Sequence, residues 1–267
     1  MDPILTWAGG KRKILPKIRP YYPDFINTYH EPFLGGGTVL FDLLPLRARI
    51  NDLNEDLINM YTELAKNPYL FIELLSKYNN TKEEYLQMRD EFNKGGLDSI
   101  NRGVLMYYLN KTCFHGLWRV NSSGDFNVPY GNRNFDPKSS KVHAILFKTS
   151  RFLSGCTITN KDYMDTIDDI QENDFVYLDP PHVYPGGFTN YNVRGFEEKG
   201  YAELLKYVNQ ITLKKARFVL SIPNSEYVIK LFENYEIRKL SAFVSISGHK
   251  SARKDRTELI ISNRNFL

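Results

Sequence analysis

Residues 175–182 read Phe-Val-Tyr-Leu-Asp-Pro-Pro-His, an apolar run that stops on an acid and two prolines. Proline has no N–H for a sheet ladder, so a strand here ends at Leu178 and leaves Asp179 just beyond it. The carboxyl end of a parallel strand is where open α/β sheets hold their ligands. The stiff Pro180-Pro181 turn sets a main-chain carbonyl beside the Asp179 carboxylate, and the two acceptors converge on one spot. Such a pair suits a planar NH2 group, which has two hydrogens to donate. The plain alternative is an Asp-Pro turn that merely closes a buried strand.

The chain has 267 residues, 42% hydrophobic and 25% charged, enough for one large α/β domain or one domain with an insertion. Its 35 Lys and Arg against 31 Asp and Glu give a net charge of +4, which permits nucleic-acid binding without demanding it. Cys113 and Cys156 form neither a metal spacing nor a disulfide framework, as fits a reducing compartment. No basic segment precedes an apolar core near Met1, and no apolar run approaches the ~18 residues of a membrane span. A soluble cytoplasmic protein with no membrane partner is therefore expected.

Short apolar strands and Gly-rich turns alternate over the first 55 residues or so, with strands expected at Thr28–Glu31 and Arg47–Asn51. Helical periodicity takes over between Leu57 and Thr112, including Lys82–Phe92 and Leu97–Leu109 on either side of Gly95-Gly96. The aromatic, polar stretch His115–Pro137 carries the turn Ser122-Ser123-Gly124-Asp125 and predicts a β-hairpin. Beyond about residue 145 the α/β rhythm resumes. Strands are expected near Thr157-Ile158, Phe175–Leu178, Ala216–Ile222, Tyr235–Leu240 and Leu259–Ser262, with helices at Lys141–Leu153 and Glu197–Leu213. Residues 1–55 and 145–267 thus predict one α/β domain, and 56–144 a mainly helical insertion.

Phe33-Leu34-Gly35-Gly36-Gly37 lies where a strand hands over to a helix, a place where glycines let a ligand approach the backbone closely. No Gly-Lys-Ser/Thr follows, and Leu40 stands where a dinucleotide fingerprint needs glycine. Asp52 comes at the distance of an acid that takes ribose hydroxyls. A ribose acid without a pyrophosphate loop points to a nucleoside cofactor lacking phosphates, and S-adenosylmethionine fits.

Together these residues resemble the Dam-type, D12 class DNA adenine-N6 methyltransferases over nearly the whole chain. Trp7-Ala8-Gly9-Gly10-Lys11 resembles that family's first signature, in which the lysine and its neighbours contact the cofactor. Glu31, Pro32, Phe33, Gly35, Gly37 and Thr38 resemble its main cofactor turn, Asp52 its ribose acid, and Asp162-Tyr163 the place that holds the cofactor's adenine ring. Phe114–Gly131 is similar to the recognition hairpin, with Leu117, Arg119 and Pro129 at base-reading positions. Asn121, Asn127, Tyr130 and Asn132 fall in or beside it. Lys250, Ser251, Arg253 and Lys254 belong to a basic loop suited to phosphate contact.

The resemblance implies a Rossmann-like methyltransferase core, a mostly parallel seven-stranded sheet, with a helical target-recognition insertion carrying a β-hairpin. It implies methylation of N6 on an adenine flipped from duplex DNA, without a metal, at GATC or a related site. Asp179 and the Pro180 carbonyl would grip the amine, with Pro181 and His182 completing the catalytic motif. The family carries Tyr or Phe where this chain has His182, so a weak or inactive DNA-binding homologue is the alternative; His182→Tyr is expected to preserve or raise turnover. Thr6 and Asn132 stand where well-known relatives carry basic residues, which leaves the first base unassigned. A methyltransferase acting on RNA or protein glutamine is a third reading, disfavoured by the hairpin. A cognate restriction endonuclease and a monomer or weak dimer are further expectations.

Overall fold

Seven strands pair into one sheet: β1 (Tyr29–Glu31), β2 (Ala48–Asn51), β3 (Cys156–Thr159), β4 (Phe175–Leu178), β5 (Arg217–Pro223), β6 (Glu236–Ala242) and β7 (Arg256–Ser262). The structure is a computed structural model and describes residues 1–181, 198–242 and 256–263. The strand order is β3-β2-β1-β4-β5-β7-β6, and β7 runs antiparallel to both of its neighbours. From β1 the chain steps outward to β2 and β3, whereas β4 and β5 build the other side. The order therefore reverses between β1 and β4, which pair directly with Tyr29 opposite Phe175. In an open α/β sheet this reversal opens a crevice at the strands' carboxyl ends.

Side chains alternate across a strand, and β4 is apolar on both sides because both are covered. Phe175 and Tyr177 enter one core with Tyr29, Phe41, Leu57 and Tyr61, while Val176 and Leu178 enter a second with Phe218, Leu220, Leu204 and Tyr207. The sheet is thus a middle layer with helices on either face.

Those helices are α1 (Leu15–Ile18), α2 (Thr38–Leu43), α3 (Glu55–Lys66), α4 (Pro68–Leu75), α5 (Lys82–Lys94), α6 (Ser99–Thr112), α7 (Ser140–Leu153), α8 (Glu198–Leu213) and α9 (Glu226–Leu231). Their starts follow local chemistry. The Asn54 side chain accepts from the Leu57 N–H at 3.0 Å, and Asp98 accepts from Asn101 at 2.9 Å, each satisfying a donor that the helix leaves open. Pro68 opens α4, where its missing N–H costs nothing. Helix α3 packs against both α6 and α7, which draws the expected insertion onto the core of the sheet. No helix among the described residues is long and apolar enough to cross a membrane.

The expected hairpin follows a paired course without a regular ladder. Its strands meet in isolated bridges, Cys113 with Tyr130 and Val120 with Phe126. On the outer edge of the returning arm, the Asn93 side chain of α5 accepts from the Phe126 N–H at 2.8 Å and donates to the Phe126 carbonyl at 3.0 Å. A helix side chain thus takes the bonds a neighbouring strand would have taken. Trp118, Phe126 and Val128 are buried beneath, so packing rather than a ladder holds the hairpin. The short helix α9 lay outside the sequence reading; it begins at Ser225, whose hydroxyl accepts from the Val228 N–H.

Candidate active site

Asp179 stands one residue beyond β4, and Glu31 ends β1 beside it at the point where the strand order reverses. Pro180 is buried and Pro181 exposed, so the turn leaves the sheet abruptly. Lys11 reaches under this turn. Its Nζ lies 2.9 Å from Asp179 Oδ1 and 2.6 Å from Glu258 Oε1, with the three side chains 6%, 20% and 13% exposed. Burial disfavours the ammonium, but Asp179 and Glu258 outweigh it and hold the Lys11 pKa well above its ordinary value. Lys11 is therefore charged, buried and committed to this acid pair, set apart from the surface cations Arg12 and Lys13 beside it.

Glu258 comes from β7. Because that strand is antiparallel, its first residues lie level with the carboxyl end of β5, where Pro223 pairs with Glu258. The Ser221 hydroxyl donates to Glu258 Oε1 at 2.7 Å. Sequence reading missed both residues. The available signal was a polar residue inside an apolar run, Ser221 between Leu220 and Ile222 and Glu258 just before Leu259-Ile260-Ile261. Tyr177 lies under the same group; its phenol pKa is raised well above the ordinary value by burial first and then by Asp179, Glu258 and Glu31.

On the β1 side the Gly-rich turn is fixed from two directions. Asp52, just past β2, accepts from the Gly35 N–H at 2.8 Å through Oδ2 and from the Asn54 N–H at 3.0 Å through Oδ1. Gly35 has a φ of 49°, and a Cβ built there would lie 2.8 Å from Trp7 Cδ1. Only glycine lets the Trp7 ring lie against this turn. Burial pushes the Asp52 carboxyl up, with the N–H donors of Asn54, Gly35 and Leu53 acting in the opposite sense. Burial also drives the Glu31 carboxyl well above the usual range; the Tyr29 hydroxyl, donating to it at 2.9 Å, opposes this, and Asp179 adds to it.

Phe33, two residues past β1, meets Tyr163 with ring centroids 4.8 Å apart, both rings half-buried. Asn51 holds this pair together. Its amide donates to the Pro32 carbonyl at 3.1 Å and to the Lys161 carbonyl at 2.9 Å, which ties the Gly-rich turn to the loop before Asp162. Asp162 itself is exposed and caps the following turn by accepting from the Met164 N–H. Tyr61, from α3, has a buried hydroxyl with no hydrogen-bond partner among the described residues, and it feels the charges of Glu31 and Asp52. Around the reversal thus stand the acids Asp179, Glu31 and Asp52, a half-buried aromatic pair, Gly-turn backbone and, buried behind them, the Tyr61 hydroxyl. Ala8, Gly9 and Gly10 run beside it, and the Gly10 N–H closes a turn on the Trp7 carbonyl at 3.2 Å; Gly37 and Thr38 open α2.

The first signature also reaches the hairpin. Trp7 stacks on Trp118, with centroids 6.4 Å apart and planes 17° apart. Thr6 exchanges two hydrogen bonds with the buried Asn110 side chain, and Arg133 donates to the Asn110 carbonyl and the Thr6 hydroxyl. Within the hairpin, Arg119 Nε donates to Asn127 Oδ1 at 2.8 Å, aligning both side chains. Asn121 accepts from the Ser123 and Asp125 N–H groups and closes the tip. The Tyr130 hydroxyl donates to Asn80, anchoring the returning arm to the helices. Pro129 and Asn132 are exposed, Leu117 half-buried. His182, Lys250, Ser251, Arg253 and Lys254 lie outside the described residues.

A family model for D12 class N6 adenine-specific DNA methyltransferases matches residues 7–246. The chain is similar to a type II methyltransferase of Lactococcus lactis subsp. cremoris, M1.LlaDCHI, with 35% identity covering 98% of this chain and 95% of the relative. It is similar to the type II methyltransferase M.MjaIII of Methanocaldococcus jannaschii, at 35% identity over 98% and 99% of the two chains. A DNA adenine methylase of Vibrio cholerae shares 29% identity over 96% of this chain and 94% of its own.

Proposed function

Because the chain belongs to the D12 class of N6 adenine-specific DNA methyltransferases, we propose that it methylates N6 of an adenine flipped from duplex DNA, using S-adenosylmethionine. The site is GATC or a related sequence. The observation that carries this reading is the buried Lys11–Asp179 pair at the reversal of strand order, beside Glu31.

The residues present fit the cofactor. Asp52 suits ribose hydroxyls, the Phe33–Tyr163 pair an adenine face, and the segment Trp7–Lys11 with Glu31 the amino-acid end. The unsatisfied Tyr61 hydroxyl supports a polar ligand in the crevice. When bound, the cofactor supplies an electrophilic methyl group on a sulfonium. The chain's own task is placement. An exocyclic amine is a weak nucleophile because its lone pair is delocalised into the ring. Asp179 and the Pro180 carbonyl accept its two hydrogens, favour a pyramidal nitrogen and aim its lone pair along the line of transfer. Flipping the base costs a few kcal/mol of unstacking.

Residues 56–144 present the duplex-reading surface, with residues 1–55 and 145–267 as the catalytic domain. Arg119, held in plane by Asn127, is suited to a guanine O6/N7 edge, and the exposed Pro129 to a thymine methyl. The type II names of two relatives support pairing with a restriction endonuclease in a cytoplasmic setting. The test is transfer of labelled methyl from S-adenosylmethionine to duplex DNA in competition with RNA. Label confined to adenine in the duplex is expected; label on RNA, or none on either, would refute the reading.

A further inference from the structure

Lys11 faces two carboxylates, and the methyl-transfer chemistry above calls on only one of them. Asp179 meets the substrate; Glu258 sits 2.6 Å from the same ammonium, 13% exposed, and is held there by the Ser221 hydroxyl. An acid at the edge of a core strand is costly to bury unless it is paired, and this one is paired to a cation that Asp179 alone would neutralise. Ser221 is itself fully buried in β5, so the second carboxylate has its own support within the sheet.

We propose that Glu258 is a positioning residue for methyl transfer, sharing the Lys11 ammonium with Asp179 so that Asp179 stays oriented yet remains a strong acceptor. The inference rests on the methyl-transfer reading of this site. A carboxylate offers about four lone-pair sites, so Asp179 can accept from Lys11 on Oδ1 and still accept from an amine. With Lys11 as its sole partner the Asp179 charge would be cancelled and its grip on an N–H weakened. Two carboxylates around one ammonium carry a formal charge of −1. That surplus opposes the positive charge which passes from the sulfonium to the attacking nitrogen during transfer. Among the described residues, Lys11 from the N-terminal turn, Glu31 from β1 and Tyr177 from β4 feel the Asp179 charge, and Glu258 from β7 shares its ammonium.

The sign of the effect on pH dependence follows. Removing the Glu258 charge takes away the second carboxylate on the Lys11 ammonium, which then acts more fully on Asp179 and keeps it ionised to lower pH. The experiment compares the full-length protein with its Glu258→Gln and Glu258→Asp variants. Steady-state transfer of labelled methyl to unmethylated plasmid DNA is followed from pH 5.5 to 9, with thermal melts reporting folding. Glu258→Gln is expected to lower plateau kcat about tenfold, to leave KM for DNA within about twofold, and to move the acid limb of kcat to lower pH. Glu258→Asp is expected to recover most of kcat and the wild-type limb. Wild-type kcat in Glu258→Gln, or a loss that leaves the acid limb in place and is not recovered by aspartate, would overturn the assignment alone. A wild-type protein that methylates no adenine would overturn the proposed function with it.

Discussion

Substituting alanine at Gly35 and at Gly9 separates two costs that usually arrive together. Both glycines have positive φ, 49° and 79°, but a Cβ at Gly35 would lie 2.8 Å from Trp7 Cδ1 and 3.1 Å from Nε1, whereas a Cβ at Gly9 would meet nothing within 4 Å. A non-glycine residue in the left-handed region costs about 1–2 kcal/mol. Forcing extra volume into a packed contact adds about 1–3 kcal/mol. Gly9→Ala should therefore lose about 1–2 kcal/mol, and Gly35→Ala about 2–5 kcal/mol. The Trp7 ring cannot retreat freely, because it stacks on Trp118 and the Gly35 N–H is fixed to Asp52. Urea unfolding at constant m value, followed by tryptophan fluorescence, measures both losses; the chain's two tryptophans, Trp7 and Trp118, are the stacked pair itself. Only Gly35→Ala should also change the folded-state emission. Equal losses, within about 0.5 kcal/mol, would refute the claim that the turn is built around the Trp7 ring.

Lys11→Met should leave Asp179 and Glu258 as unpaired neighbours and cost about 3–5 kcal/mol near pH 7. The pKa of Lys11 is raised on folding, so its contribution is fully present below the unfolded-state value of about 10.4 and is lost only above it. Urea titrations near pH 7 that gave a deficit below about 1 kcal/mol would contradict this. Arg119→Lys keeps the charge but loses the planar fork, and it should relax discrimination at one position of the recognised sequence by about 1–3 kcal/mol, read from methylation rates on duplexes altered one base at a time. Unchanged discrimination would remove Arg119 from base reading.

The middle of the sheet was legible because β4, β5 and β7 carry apolar runs, and β4 announces its own end at Asp179-Pro180. The helices were legible through their periodicity but not in their capped starts: the run expected from Leu97 begins at Ser99, after the Asp98 cap. The hairpin was legible as a segment but not in its bonding, since the side chain that satisfies its outer edge, Asn93, is 33 residues away from Phe126 in sequence. The same holds for the acid site. Asp179 stood out through its own neighbours, whereas Glu258 matters only because an antiparallel last strand carries it to the carboxyl end of β5, within reach of Ser221. Lys11 stood out through its signature as a cofactor contact, whereas its pairing with Asp179 and Glu258 had no local trace. Partners distant in sequence leave a local trace only as a polar residue within an apolar run.

The most direct test of the central claim is to map modified bases in plasmid DNA treated with S-adenosylmethionine and either the wild-type protein or Asp179→Ala. Wild-type protein should place N6-methyladenine at one short recurring sequence. The alanine variant should still bind the duplex but leave every adenine unmodified. Unmodified DNA after wild-type treatment, or full methylation by Asp179→Ala, would contradict the account.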